Sequence, residues 1–107
     1  MISEERVEKA VEYIRDNADQ LGVLIGRCKA LEQKRKVIHG QEFLAQKTGT
    51  VAEKEAAAYS SEGFKLLVEE IEDAWADKSV IEIRMKAAEL QIDVWRSQYS
   101  KQGKGHL

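Results

Sequence analysis

The stretch Lys47-Thr48-Gly49-Thr50-Val51-Ala52-Glu53 decides the fold, because it is the clearest interruption in a chain that otherwise favours helix. Gly49 can adopt the left-handed conformation that ends a helix. Thr50 can begin the next one, with its hydroxyl accepting from the amide of Glu53 while the Glu53 side chain reaches back, which is a capping box. The sequence therefore predicts a turn over residues 48–50 between two helices.

The composition supports long helices on both sides of this turn. The chain of 107 residues contains no proline and is dominated by strong helix formers. Ser3 can cap the first helix. We expect one helix over about residues 4–47, a second over about 51–100 and a flexible basic tail over 101–107. A further capping box at Ser79 and Glu82 leaves open whether the second half is one helix, bent near 76–80, or two helices, and the continuous apolar stripe favours one.

Apolar residues recur at spacings of three and four along both predicted helices, which is the pattern of a coiled coil. The first stripe consists of Val7, Val11, Ile14, Ala18, Leu21, Ile25 and Cys28, and the second of Phe64, Leu67, Ile71, Ala74, Ile81, Met85, Ala88, Ile92, Trp95 and Tyr99, with Lys78 as its polar member. Folding back at the turn pairs these stripes antiparallel and sets Arg35 opposite Gly63. Gly22 and Gly26 then come near Trp75, where they would leave room for the indole. The predicted fold class is all-α, a long antiparallel helical hairpin.

Two helices cannot bury apolar residues on more than one face of each. The apolar positions left over are Leu24, Val37, Phe43, Leu66, Val68, Val80, Ile83, Leu90 and Val94. Either the helices break to form a compact bundle or several hairpins pack together. We expect the second, a homo-oligomeric helical bundle with closed symmetry.

Several classes of protein are disfavoured by what the sequence lacks. It has no nucleophile elbow, no glycine-rich phosphate loop and no metal-ligand spacing, so we expect no enzymatic activity, no cofactor and no metal. A single cysteine, Cys28, cannot form an intramolecular disulfide. No apolar stretch approaches the length of a membrane span, and the first twenty residues are acidic where a signal peptide is basic and then apolar. A cytoplasmic location without membrane contact is the expectation.

Charge divides the chain into four blocks of alternating sign, although the net charge is only −2. The blocks cover residues 1–26 (acidic), 27–48 (basic), 49–82 (acidic) and 83–107 (basic). Antiparallel folding sets the basic second block against the acidic third. The charges therefore either fix register by pairing with one another or leave a basic surface for a partner.

The basic second block supplies the candidate nucleic-acid-binding residues, which are Arg27, Lys29, Lys34, Arg35, Lys36 and Lys47. Lys29 and Lys36 share a helix face, and Arg27 and Lys34 are taken to form a neighbouring row, so a ridge of cations is predicted. Such a ridge can follow a phosphate backbone by displacing counterions. Arg35 also falls in the apolar seam and could instead belong to a buried ion pair. A second candidate set, beside Trp95, comprises Arg84, Arg96, Tyr99, Lys101 and Lys104.

The segment Ala30-Leu31-Glu32-Gln33-Lys34-Arg35-Lys36-Val37, within a long helix that ends at a Thr-Gly turn, is similar to phage recombination mediators of the UvsY type. The ending Ile92-Asp93-Val94-Trp95-Arg96-Ser97-Gln98-Tyr99 also resembles small helical proteins of phage replication and recombination cassettes. The resemblance implies a small helical oligomer that binds single-stranded DNA and helps a RecA-like recombinase replace the single-strand-binding protein. Only the cations at 34–36 correspond by position, since the family's downstream Lys-x-Arg pair has no counterpart in residues 37–41.

Two functions follow as expectations. The first is a non-enzymatic, oligomeric accessory protein of phage recombination or replication that binds single-stranded DNA. The second is a helical adaptor for a helicase, a polymerase or a virion component, in which the acidic third block neutralises the basic segment.

Overall fold

Three helices make up the described part of the chain. The computed structural model describes the backbone of residues 1–105 and the side chains of residues 1–101. Helix α1 spans Glu4–Ala45, α2 spans Val51–Tyr59 and α3 spans Glu62–Gly105. No strand occurs in these residues, which confirms the all-α class. Among the same residues, no helix combines the length and the apolar character that crossing a bilayer requires.

The turn between α1 and α2 forms where the sequence predicts it. Gly49 has a φ of 112°, the left-handed conformation that a residue with a Cβ rarely adopts. The Thr50 hydroxyl accepts a hydrogen bond from the Glu53 amide at 3.2 Å, so Thr50 caps α2. At the other end of α1, the Ser3 hydroxyl accepts from the Arg6 amide at 3.2 Å. Both predicted N-caps are confirmed, and α1 ends at Ala45, two residues earlier than expected.

The predicted single helix over 51–100 is two helices, because the chain is interrupted at Ser60 and Ser61. Ser60 is the C-cap of α2, and both its backbone N–H and its hydroxyl donate to the Ala56 carbonyl. The Ser61 hydroxyl donates to the Ala58 carbonyl at 2.8 Å and accepts from the Phe64 amide at 3.2 Å. One side chain thus satisfies backbone groups on both sides of the break, which is the competition with helix that serine offers.

Helix α3 continues without interruption through Asp77, Lys78 and Ser79, the place at which the sequence allows a second break. Lys78 Nζ lies 3.3 Å from Glu82 Oε1 on the same helix, a pair that supports the helix at this point. The helix also extends to Gly105, so residues 101–105 of the expected flexible tail are helical. The rest of that tail lies outside the described residues.

The contacts divide the chain into two compact units, and each contains one segment of α1 and one of α3. Unit 1 comprises residues 1–22 and the described residues from Lys78 onward; there the Ile2 amide donates to Gln98 Oε1 at 3.3 Å. Unit 2 comprises Val23–Asp77, and its core joins Cys28 and Leu31 of α1 to Leu67 and Ala74 of α3. In each unit the two segments therefore run antiparallel, as the hairpin prediction requires.

The buried face of α1 differs from the prediction. Val7 and Cys28 are buried as expected, but Val11 is 45% exposed and Ala18 is exposed. The other buried residues of α1 are Ala10, Leu24 and Leu31. Leu24, expected to be left over, belongs to the core, because the seam follows positions 7, 10, 14, 17, 21, 24, 28 and 31. A polar residue, Asn17, interrupts this series, so the series is hard to recognise in the sequence. The Asn17 side-chain amide donates to the Tyr13 carbonyl at 2.9 Å.

The buried face of α3 matches the prediction closely. Its buried residues are Phe64, Leu67, Ala74, Ile81 and Ala88. The predicted polar member, Lys78, is half-buried, whereas Tyr99 is 65% exposed. A second apolar series at the same spacing remains exposed and is called the outer stripe here; it consists of Val80, Ile83, Ala87, Leu90 and Val94.

The predicted accommodation of Trp75 by glycines is wrong. A Cβ built on Gly22 or on Gly26 would meet no atom within 4 Å, so neither glycine leaves room for a neighbouring side chain. Trp75 is 43% exposed. The buried residues of the helices include small ones, Ala10 and Ala88 in unit 1 and Ala74 in unit 2.

Candidate nucleic-acid interface

Five cations of the basic segment are exposed on α1, namely Arg35 and a group of four that consists of Arg27, Lys29, Lys34 and Lys36. None of the four makes an ion pair with a described carboxylate, since the ion pairs present involve other cations. The acidic third block lies on the antiparallel partner within unit 2 but leaves these four charges unneutralised. They are therefore available to an anionic partner.

The four cations do not form the single ridge that the sequence predicted. Residues two apart on an α-helix project about 160° apart, so Lys34 and Lys36 point to different sides of α1. Lys29 lies one heptad from Lys36 and shares its side, called the recess flank below. Arg27 and Lys34 share the other side, called the opposite flank. One strand following α1 can engage one flank directly, not both.

Arg35 lies at the seam between the two flanks. It contacts Phe64, the residue next to Gly63, which the hairpin register predicts as its partner. Its guanidinium carbon is 5.9 Å from the centre of the Phe64 ring, a cation–π arrangement. Its Nη1 lies 3.9 Å from Glu32 Oε2, and half of the Arg35 side chain remains exposed. The buried ion pair considered for Arg35 is therefore absent, and the surface pair with Glu32 contributes little. Lys47 is exposed in the turn after α1.

A recess of about 320 Å³ opens beside the recess flank where the three helices meet within unit 2. We call it the aromatic recess; its lining consists of Glu32, Arg35, Lys36, His39, Tyr59 and Phe64. The His39 and Tyr59 ring centres are 4.4 Å apart, and the Tyr59 and Phe64 rings meet edge to face at 5.2 Å. Tyr59 is nevertheless 54% exposed. The recess thus contains the Tyr59 ring, which neighbouring rings contact but which remains accessible to solvent, together with two cations and one carboxylate.

The aromatic recess contains an unusual polar atom. His39 Nε2 is buried and has no hydrogen-bond partner among the described residues. Burying an unpaired polar group costs about 1–3 kcal/mol, so packing alone does not favour a histidine at this position. Its ring contacts with Tyr59 and Phe64 explain part of the arrangement.

Sequence reasoning missed the aromatic recess because its members are far apart in the sequence. His39 belongs to α1, Tyr59 ends α2 and Phe64 lies in the first turn of α3. Only the break at Ser60 and Ser61 brings Tyr59 beside Phe64 in this geometry. The adjacent Tyr-Ser-Ser sequence was the available signal for that break.

The second candidate set does not converge on one site. Arg84 lines a separate recess of about 300 Å³ in unit 1, together with Arg6, Lys9 and Tyr13. Arg96 and Lys101 are exposed further along α3. Trp95 and Tyr99 stack on each other with ring centres 5.4 Å apart. The side chain of Lys104 lies outside the described residues.

Two further features of the described residues concern metal ligands and the single cysteine. No group of three His, Cys, Asp or Glu side chains there is placed to hold a metal ion. Cys28 is a buried free thiol within the core of unit 2, as its position in the apolar stripe predicts. A comparison of the chain with family models, curated proteins and solved structures finds no match.

Proposed function

We propose that this protein is a non-enzymatic, oligomeric accessory protein of phage recombination or replication that binds single-stranded DNA. The observation that carries the proposal is the group of four exposed cations on α1 that have no carboxylate partner. Displacement of counterions from a phosphate backbone by such cations favours binding without sequence preference. The resemblance of residues 30–37 to recombination mediators supports a RecA-like recombinase and a single-strand-binding protein as partners.

Oligomer formation is part of the proposal and is supported by the outer stripe of α3. Ile83 is 68% exposed and Leu90 is 63% exposed, and both repeat at heptad spacing with their apolar neighbours. The exposed face of a helix in a monomeric protein is usually polar, whereas this face carries a continuous apolar series. Packing of the outer stripe against a second copy would cover it. The modest contacts of one subunit with DNA would then add up across the assembly.

Fluorescence anisotropy with labelled oligothymidine tests the DNA proposal. We expect binding at low salt that weakens steeply as salt is raised. The test variant changes to glutamine the four unpaired cations of α1, which are Arg27, Lys29, Lys34 and Lys36. The control removes the same number of positive charges elsewhere, at Lys9, Arg15, Lys54 and Lys65. The test variant should lose most of its affinity and the control should retain it, since only the first removes the proposed contacts.

Absence of binding by the wild-type protein at low salt would contradict the proposed function. Equal losses in the test and control variants would also contradict it, because they would show a dependence on net charge alone. Circular dichroism establishes that both variants keep the helical content of the wild type before affinities are compared.

A helical adaptor is the second candidate, and the outer stripe is the observation that favours it. In that case the stripe receives a helix from a different protein, and the isolated chain is a monomer without affinity for DNA. Light scattering combined with oligothymidine binding separates the two candidates. A monomer that binds no DNA favours the adaptor, and an oligomer that binds DNA favours the first proposal.

A further inference from the structure

We propose that the aromatic recess binds one unpaired nucleotide of a single strand, with the base stacked on Tyr59 and the adjacent phosphate against Arg35 and Lys36. This inference rests on the proposed function and names a specific site for it. It adds Tyr59, which is not part of the basic segment. It also assigns the recess flank of α1, rather than the opposite flank, as the side that the strand follows.

Tyr59 has the properties of a stacking platform. Its ring is held on one side by His39, at 4.4 Å between centres, and by the edge-to-face contact with Phe64 at 5.2 Å. These contacts restrict the ring before any ligand arrives, which lowers the entropy that binding must remove. More than half of the residue remains exposed. Single-strand-binding proteins commonly stack bases on such rings without reading the sequence.

The charges around the ring suit the backbone of the same nucleotide. Arg35 and Lys36 line the recess together with one acid, Glu32, so the lysine, arginine and carboxylate side chains of this lining carry one net positive charge. The Arg35–Glu32 contact is long, at 3.9 Å, so the guanidinium can turn towards a phosphate at little cost. Lys29 continues the positive charge along the recess flank. A strand leaving the recess along α1 therefore meets a third cation, after Arg35 and Lys36.

The size of the recess limits the occupant. At about 320 Å³ it lies at the lower end of the range for small-molecule sites, which suits one base and its phosphate. Its lining has aromatic rings and cations together, and this combination matches a nucleotide better than it matches a purely apolar or a purely anionic ligand.

The first test compares variants of Tyr59 in oligothymidine binding. Tyr59→Ala should weaken binding about five-fold or more, and Tyr59→Phe should keep nearly the wild-type affinity, because a phenyl ring also stacks. Val51→Ala is the matched control, since it truncates another exposed side chain of α2. An oligonucleotide of abasic sites should bind wild type and Tyr59→Ala equally, because it offers phosphates without bases.

The second test needs no variant and so does not depend on the folding of Tyr59→Ala. Oligothymidine carrying one 5-iodouracil is irradiated with the wild-type protein, and the cross-linked peptide is identified by mass spectrometry. Cross-linking to Tyr59 is the expected result. Thymidine monophosphate should compete poorly with the oligonucleotide, because one phosphate engages fewer cations than a strand does.

The outcomes separate this site from the proposed function. Wild-type protein that fails to bind oligothymidine overturns both. Binding that is salt-sensitive and requires the cations of α1, but is unchanged in Tyr59→Ala and cross-links elsewhere, overturns the recess alone. Competition by thymidine monophosphate as strong as that by the oligonucleotide would mean a site for free nucleotides and would overturn the assignment to a single strand.

Discussion

Two charge-removal variants on the same helix should have unequal effects on DNA binding. The first changes Lys29 and Lys36 to glutamine and so removes the recess flank. The second changes Arg27 and Lys34 and removes the opposite flank. Both remove two exposed positive charges from α1, so each serves as the control for the other. If the strand follows the recess flank, only the first variant loses direct phosphate contacts.

The structure sets the size of the difference. The recess flank together with Arg35 offers three cations to a strand, and each phosphate contact on single-stranded DNA contributes about −0.7 to the slope of log K against log salt. The expected slope per subunit is about −2.1, which is an affinity loss of about 18-fold between roughly 50 and 200 mM salt. Removing Lys29 and Lys36 leaves a slope of about −0.7 and a loss of about 2.6-fold over the same range.

Anisotropy titrations with oligothymidine at four or more salt concentrations measure these slopes. The variant lacking Arg27 and Lys34 should keep a slope near the wild-type value, apart from a small long-range effect on affinity. Equal slopes in the two variants would refute the assignment of the strand to one flank. A wild-type slope near zero would refute phosphate binding as the source of affinity.

Further predictions concern stability and assembly. Replacing Gly22 and Gly26 with alanine should each raise the free energy of unfolding by about 0.5–1 kcal/mol, since both lie within α1 and face open space; a lower melting temperature would contradict this. Gly49→Ala should lower it by about 1 kcal/mol or more, because its φ of 112° is unfavourable for a residue with a Cβ, as chemical denaturation would measure. Changing Ile83 and Leu90 to serine should reduce the mass in light scattering, and an unchanged mass would show that the outer stripe is not an interface between copies.

Much of the fold could be predicted from the sequence where a short-range chemical signal is present. The turn depends on Gly49 and on the hydroxyl of Thr50, and both act within a few residues. The apolar positions of α3 form a nearly unbroken heptad series, so its buried face could be identified directly. On α1 the series contains Asn17, and a neighbouring series through Val11 and Ala18 is almost as apolar. Packing against α3, which the sequence does not display, decides between them.

The break after Tyr59 and the aromatic recess could not be predicted in the same way. Serine is tolerated within helices, and a helix ends at a serine only where tertiary packing stabilises the break. Ser79 has a similar local pattern, with a glutamate three residues later, yet α3 continues through it. The division of the exposed cations of α1 into two flanks, by contrast, follows from their spacing on a helix, and the prediction of a single ridge overlooked the angle of about 160° between residues two apart.

The aromatic recess has a thermodynamic consequence for unit 2. The ring and cation contacts among Arg35, His39, Tyr59 and Phe64 join residues of α1, α2 and α3 at one place. A ligand that binds there only in the native state stabilises that state by its own binding free energy, about 2.7 kcal/mol at a hundred-fold excess over Kd. In calorimetry, the Tm of the protein should therefore rise as the concentration of oligonucleotide is raised.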